Sequence, residues 1–129
     1  MKKLIPILLI LFLYSSNCIN NVEDLSEASE EPIDVSYLND VQLIFNDYCT
    51  DCHGANGGIS LTNYSNTTSG NSNNYGSSLI IAGDADASGL IDKIGPNPEH
   101  GATMPPNEFL TNDEIATIRA WINQGAKDN

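Results

Sequence analysis

Cys49-Thr50-Asp51-Cys52-His53 is the run in this chain whose residue types and spacing specify a chemistry. Two thiols three positions apart, followed at once by an imidazole, make the C-x-x-C-H pattern of covalent haem attachment. Each thiol can form a thioether to one vinyl group of a single porphyrin. The adjoining His53 then presents its ring to the iron from the same side, as proximal ligand. One ring nitrogen would bind the metal; the other should donate to a backbone carbonyl, which sets the tautomer and holds the ring.

Other chemistries share these residues. A zinc site would draw on Cys49, Cys52, His53 and His100, but adjacent Cys52 and His53 are awkward tetrahedral co-ligands and the chain has no second C-x-x-C. A redox dithiol would need a strand ahead of the motif in a βαβ context, whereas the preceding residues read as a helix. A structural disulfide between Cys49 and Cys52 suits an exported chain and leaves His53 without a role.

The sixth iron position follows by elimination. Apart from Met1, Met104 is the only methionine, and apart from His53, His100 is the only histidine. Met104 lies in Gly101-Ala102-Thr103-Met104-Pro105-Pro106, where two prolines stiffen the backbone. A thioether held in place in both oxidation states lowers the reorganisation that electron transfer requires, and Met/His ligation raises the reduction potential. Met104 is therefore the candidate distal ligand. His100, Lys93 and an open position are the alternatives, and a gap-filling core methionine has the same sequence signature.

Helices are expected on both sides of these residues. Val41, Ile44, Phe45 and Tyr48 recur on one helical face. Asn39 is placed to cap that helix, with Gln42 three residues on to reach back, and the helix should run into Cys49. At the far end Thr111 and Glu114 make a capping box. Ile115, Ile118, Trp121 and Ile122 form an apolar stripe behind it, and Gly125 is placed to terminate the helix. A shorter helix is expected over residues 87–94. Residues 62–78, rich in Asn, Ser, Thr and Gly, read as a surface loop with a turn of helix near 63–67. Strand patterning is confined to residues 78–81. So short a helical chain has a thin core, which a haem would fill.

The N-terminus reads as a targeting segment. Lys2 and Lys3 precede an apolar run over residues 4–13, and Ser15, Ser16 and Asn17 follow, the order of a secretory signal over residues 1–17. The run falls well short of the ~20 residues of a spanning helix; an uncleaved anchor is the alternative. Cys18 is the candidate lipidation site, although Asn17 stands where a lipobox carries a small residue. Residues 18–36, crowded with Glu23, Asp24, Glu27, Glu30 and Glu31, read as an acidic disordered tether. The domain proper is expected over 37–129.

Charge bounds the partners. The chain carries net charge −12, and loss of Lys2 and Lys3 leaves three basic residues against seventeen acids, a net −14. Such a surface repels nucleic acid and anionic lipid. It favours a redox protein with a basic docking surface, and any membrane contact would run through a lipid on Cys18.

From about Tyr37 onward the chain resembles the small single-haem cytochrome c domains common in planctomycetes and Bacteroidetes. The resemblance rests on an ordered set of motifs. Ile44-Phe45 precedes the Cys49–His53 motif, and Gly54 follows it. Then come Gly57-Gly58-Ile59-Ser60-Leu61, Gly83-Asp84-Ala85-Asp86-Ala87-Ser88-Gly89-Leu90 and Met104-Pro105-Pro106. Leu110-Thr111 to Glu114 and Trp121-Ile122-Asn123-Gln124-Gly125-Ala126 close the set. The resemblance implies an all-α cytochrome c fold, three to four helices around one covalent haem c. It implies Cys49 and Cys52 as thioethers, His53 proximal, Met104 distal, and a crossing of the N- and C-terminal helices near the haem, for which Phe45 and Trp121 are candidates. One departure stands out. Many cytochromes c use a proline soon after the motif to supply the carbonyl for the proximal histidine, and no proline occurs between Gly54 and Ser78. The backbone near 57–59 is the expected substitute.

The function expected is single-electron transfer in the cell envelope, by a carrier rather than an enzyme, since no independent acid–base or nucleophile constellation is present. A haem enzyme or small-ligand sensor with an open sixth iron site is the rival from another class. A haem-free binding module that retains the fold is the third.

Overall fold

The computed structural model describes residues 33–54 and 58–129. The expected signal segment, Cys18 and most of the acidic tether lie outside the described residues. Those described form helices joined by long connections, with no strand among them; Ser72 and Gly76 make a single antiparallel bridge. The all-α class expected from the sequence is the one observed. No helix of the described residues is long and apolar enough to cross a membrane.

The first element opens one turn earlier than the sequence suggests. Ser36, not Asn39, is the cap: its side chain accepts from the Asn39 backbone N–H. A π-helical turn over Tyr37–Val41 leads into helix α1, Gln42–Tyr48. Gln42 does not reach back to a cap. Its amide is buried, where Oε1 accepts from the Tyr37 hydroxyl at 2.6 Å and Nε2 donates to the Leu61 carbonyl at 3.0 Å. A buried amide must satisfy both of its ends, and Tyr37 and Leu61 are near enough to do so. The packed part also starts upstream of residue 37. The Val35 N–H donates to Gln124 Oε1 at 2.9 Å, and Gln124 Nε2 donates to the Ile33 carbonyl at 2.8 Å. Residues 33–36 therefore lie against the C-terminal segment, although their composition reads as tether.

Helix α2, Tyr64–Ser69, is capped by the Asn63 side chain on the Asn66 N–H. Helix α3, Gly89–Ile94, is shorter than the expected 87–94. Residues 78–81, the expected strand, instead run beside its start. Ser78 and Leu79 carbonyls accept from the Gly89 and Leu90 N–H groups, and the Ile81 N–H donates to Ser88 Oγ. The backbone donors at the head of α3 find these partners because four N–H groups at any helix start lack intrahelical acceptors. Helix α4, Asn112–Asn123, has both halves of the Thr111/Glu114 capping box. It ends in a complete Schellman arrangement. Ala126 N–H bonds to the Trp121 carbonyl, Gly125 N–H to that of Ile122, and Gly125 takes φ +100°.

The core gathers Val41, Phe45, Ile118, Trp121 and Ile122, each at most 1% exposed. Tyr37 opens the first element and its ring reaches the last. Its ring centroid is 6.4 Å from that of Phe45, 5.2 Å from Trp121 and 5.2 Å from Tyr64. The expected meeting of terminal elements through Phe45 and Trp121 thus runs by way of Tyr37.

Candidate functional site: a cofactor cavity after helix α1

Helix α1 stops where the thiols begin. The N–H groups of Cys49 and Thr50 both close onto the Phe45 carbonyl, and the Cys49 carbonyl in turn accepts from Cys52 at 3.2 Å and His53 at 2.8 Å. The chain therefore coils tightly through residues 49–53 without continuing the helix. The His53 carbonyl accepts from the Leu61 N–H at 2.8 Å, which pins the far side of the motif. Cys49 is half-buried, Cys52 is exposed, and both are free thiols. Burial pushes the Cys49 thiol up to about 11.

A cavity of about 470 Å³ opens beside the motif, within the usual range for small-molecule and cofactor sites. Cys49, Cys52, His53 and Met104 all line it. Its apolar walls come from Ile59, Leu61, Leu79, Leu90 and Ile94, and exposed Asp47, Asp51 and Glu108 reach it from the solvent side. Lys93 lines it as well; His100 does not. Among the described residues no three His, Cys, Asp or Glu side chains converge to hold a metal ion, which leaves the zinc reading without a donor set.

Burial holds the His53 imidazole below its ordinary range, so the ring is neutral at pH 7, the form that binds metal. Its Nδ1 is buried and has no hydrogen-bond partner among the described residues. Gly58 and Ile59 do not supply the expected carbonyl, and Gly57 lies outside the described residues. With Nδ1 turned into the protein, Nε2 is the nitrogen left for a metal in the cavity.

Met104 is carried by the connection between α3 and α4, and the end of α3 holds it there. Its N–H donates to the Lys93 carbonyl at 3.0 Å, and Thr103 Oγ1 donates to the Gly95 carbonyl at 2.9 Å. The Met104–Pro105 peptide is cis. Sequence reasoning missed Tyr75, which lies in the polar run read as a surface loop yet lines the cavity. Its one signal was being an aromatic residue in a stretch of Asn, Ser and Gly. Gly89 is what lets it in: a Cβ there would fall 2.3 Å from the Tyr75 ring.

Two thiols, an imidazole and a thioether on one apolar-walled cavity fit a covalently held haem, and they fit no other common cofactor as well. Among solved structures, Kuenenia stuttgartiensis Hydrazine Synthase is similar, at 25% identity and a TM-score of 0.47, over 71% of this chain and 16% of that one. The chain thus spans a small part of that protein. No curated protein matches. The family described as planctomycete cytochrome C matches residues 49–108, and over that stretch, from the first thiol through the Met104 segment, this chain is similar to a planctomycete cytochrome c.

Proposed function

We propose that the protein carries single electrons in the cell envelope on one covalently attached haem c. The observation that supports this best is the convergence of Cys49, Cys52, His53 and Met104 on one cavity with apolar walls. Cys49 and Cys52 would hold the haem by thioethers. His53 would bind the iron through Nε2, and Met104 through its sulfur. The haem supplies a reversible ferric–ferrous couple. The chain's own contribution is to keep the four side chains in place, exclude water with Ile59, Leu61, Leu79, Leu90 and Ile94, and favour ferrous iron through the thioether. The N-terminal order of charge, apolar run and polar residues favours export, and Cys18 is the residue on which a lipid would anchor the protein.

The test uses protein from a host that matures c-type cytochromes. A denaturing gel stained for haem peroxidase activity should show a band, since covalent haem survives denaturation, and the intact mass should exceed the mature chain by one haem. The ferric protein should show the absorption band of iron bonded to thioether sulfur. Met104→Ala should remove that band, lower the reduction potential and open ferrous iron to carbon monoxide. A colourless protein of bare peptide mass refutes the reading. A coloured wild type without the thioether band favours the open-site enzyme or sensor instead.

A further inference from the structure

Asp92 sits on α3 with its carboxylate outside the cavity, yet it ties together two of the segments that build the cavity wall. Its Oδ2 accepts from the Tyr75 hydroxyl at 2.5 Å and from the Glu99 backbone N–H at 2.9 Å. Tyr75 belongs to the loop before α3; Glu99 belongs to the segment that leads to Met104. The neighbouring Lys93 ammonium donates to the His100 carbonyl, and the His100 ring meets the Tyr75 ring edge-on at a centroid distance of 5.2 Å. Beyond that lie the bonds from Thr103 to Gly95 and from Met104 to Lys93.

The segment from 99 to 104 is thus fastened to α3 at both ends. The downstream fastenings end on the backbone carbonyls of Lys93 and Gly95, the second taken by the Thr103 hydroxyl. Upstream, two α3 side chains do the fastening, Lys93 on the His100 carbonyl and the Asp92 carboxylate on the Glu99 N–H, and of these only Asp92 also fixes Tyr75 against the same cavity. Hydrogen bonds to an ionised acceptor are among the stronger ones, and those from Tyr75 and Glu99 hold the Asp92 carboxyl below its ordinary range. The segment itself has no helix or strand of its own and carries Gly101 at φ +68°.

We infer that Asp92 is a positioning residue for the sixth iron ligand: by bonding Tyr75 and the Glu99 backbone at once, it sets how far the Met104 segment can swing from the cavity. This rests on the reading of Met104 as distal ligand. Loss of the bonds to Tyr75 and Glu99 should shift the balance of bound and detached thioether about tenfold toward the detached form.

The experiment compares haem-loaded wild type with Asp92→Ala in the full mature chain. Haem staining after denaturation should be unchanged, because neither thiol is touched. The ferric thioether band should weaken, and carbon monoxide should bind the ferrous protein about tenfold faster. Asp92→Asn keeps the volume and one acceptor oxygen, so its band and rate should fall between the two; it stands in if the alanine variant does not fold. Equal band strength and carbon monoxide rate in wild type and a folded Asp92 variant overturn the inference alone. A wild type that lacks the thioether band overturns the Met104 reading first, and the inference with it.

Discussion

Tyr75 shows how one residue can serve a cofactor cavity without reacting in it. Its ring forms wall, and its hydroxyl is committed to Asp92. Burial, together with that carboxylate, pushes the phenol up to about 12. The hydroxyl therefore stays a donor across the whole physiological range. The folded pKa lies above the unfolded value near 10, so the folded state holds the proton more tightly and its contribution is full below about pH 10. It should drain away as pH rises toward 12. Thermal unfolding of wild type and Tyr75→Phe across that window tests this: the wild type's advantage should shrink with rising pH. A constant difference between the two would mean that the Tyr75 proton is not what the fold senses. Cys49 is the other residue whose environment matters for chemistry. Its half-buried thiol is a poor thiolate, so on the proposed reading the attachment of haem there would have to reach it before or during folding.

At the level of elements, the short helices are held by side chains that cross between them. Tyr37 is the clearest case. Its hydroxyl donates to Gln42 on α1 and lies 3.0 Å from Thr67 Oγ1 on α2, while its ring packs on Trp121 of α4. Tyr37 and both of its polar partners are buried. Tyr37→Phe keeps the ring and removes the hydroxyl, leaving Gln42 Oε1 and Thr67 short of a partner. The expected cost is about 1–3 kcal/mol of unfolding free energy, read from denaturant titration of the haem-loaded protein. A change of only a few tenths would show that water replaces the phenol. The capping box and Schellman close of α4 are local devices by comparison. They were legible because each depends on residues a few positions apart, Thr111 with Glu114 and Gly125 with the last turn. The start of the first element was misread for the same kind of reason. Ser36 and Asn39 are both good caps, and Gln42 at the right offset favoured Asn39 until its burial beside Tyr37 gave it better partners.

For the whole molecule the dominant quantity is charge. Seventeen acidic residues against five basic ones would favour cationic partners over anionic ones, and exposed Asp47, Asp51 and Glu108 lie at the solvent side of the cavity. If the protein carries electrons as proposed, exchange with a basic redox protein should be fast at low ionic strength. It should slow as salt shortens the screening distance to about 8 Å at physiological strength. Stopped-flow rates against basic and acidic small redox proteins check this: a salt dependence of the same sign with both would remove electrostatic docking from the account.

The sequence alone was enough for the C-x-x-C-H turn, for Met104 as the remaining thioether, for a helix before the motif and one at the C-terminus, and for the all-α class. These rest on covalent spacing, helical period and capping, which act over a few residues and leave their mark in the order of the chain. Only the tertiary structure decided which residues close the cavity, that Tyr75 belongs to it and His100 does not, that residues 78–81 lie beside α3 instead of pairing as a strand, and that Asp92 joins two loops. Those outcomes depend on segments distant in sequence arriving side by side. A polar run such as 62–78 has no period to show which of its members will be buried when they do.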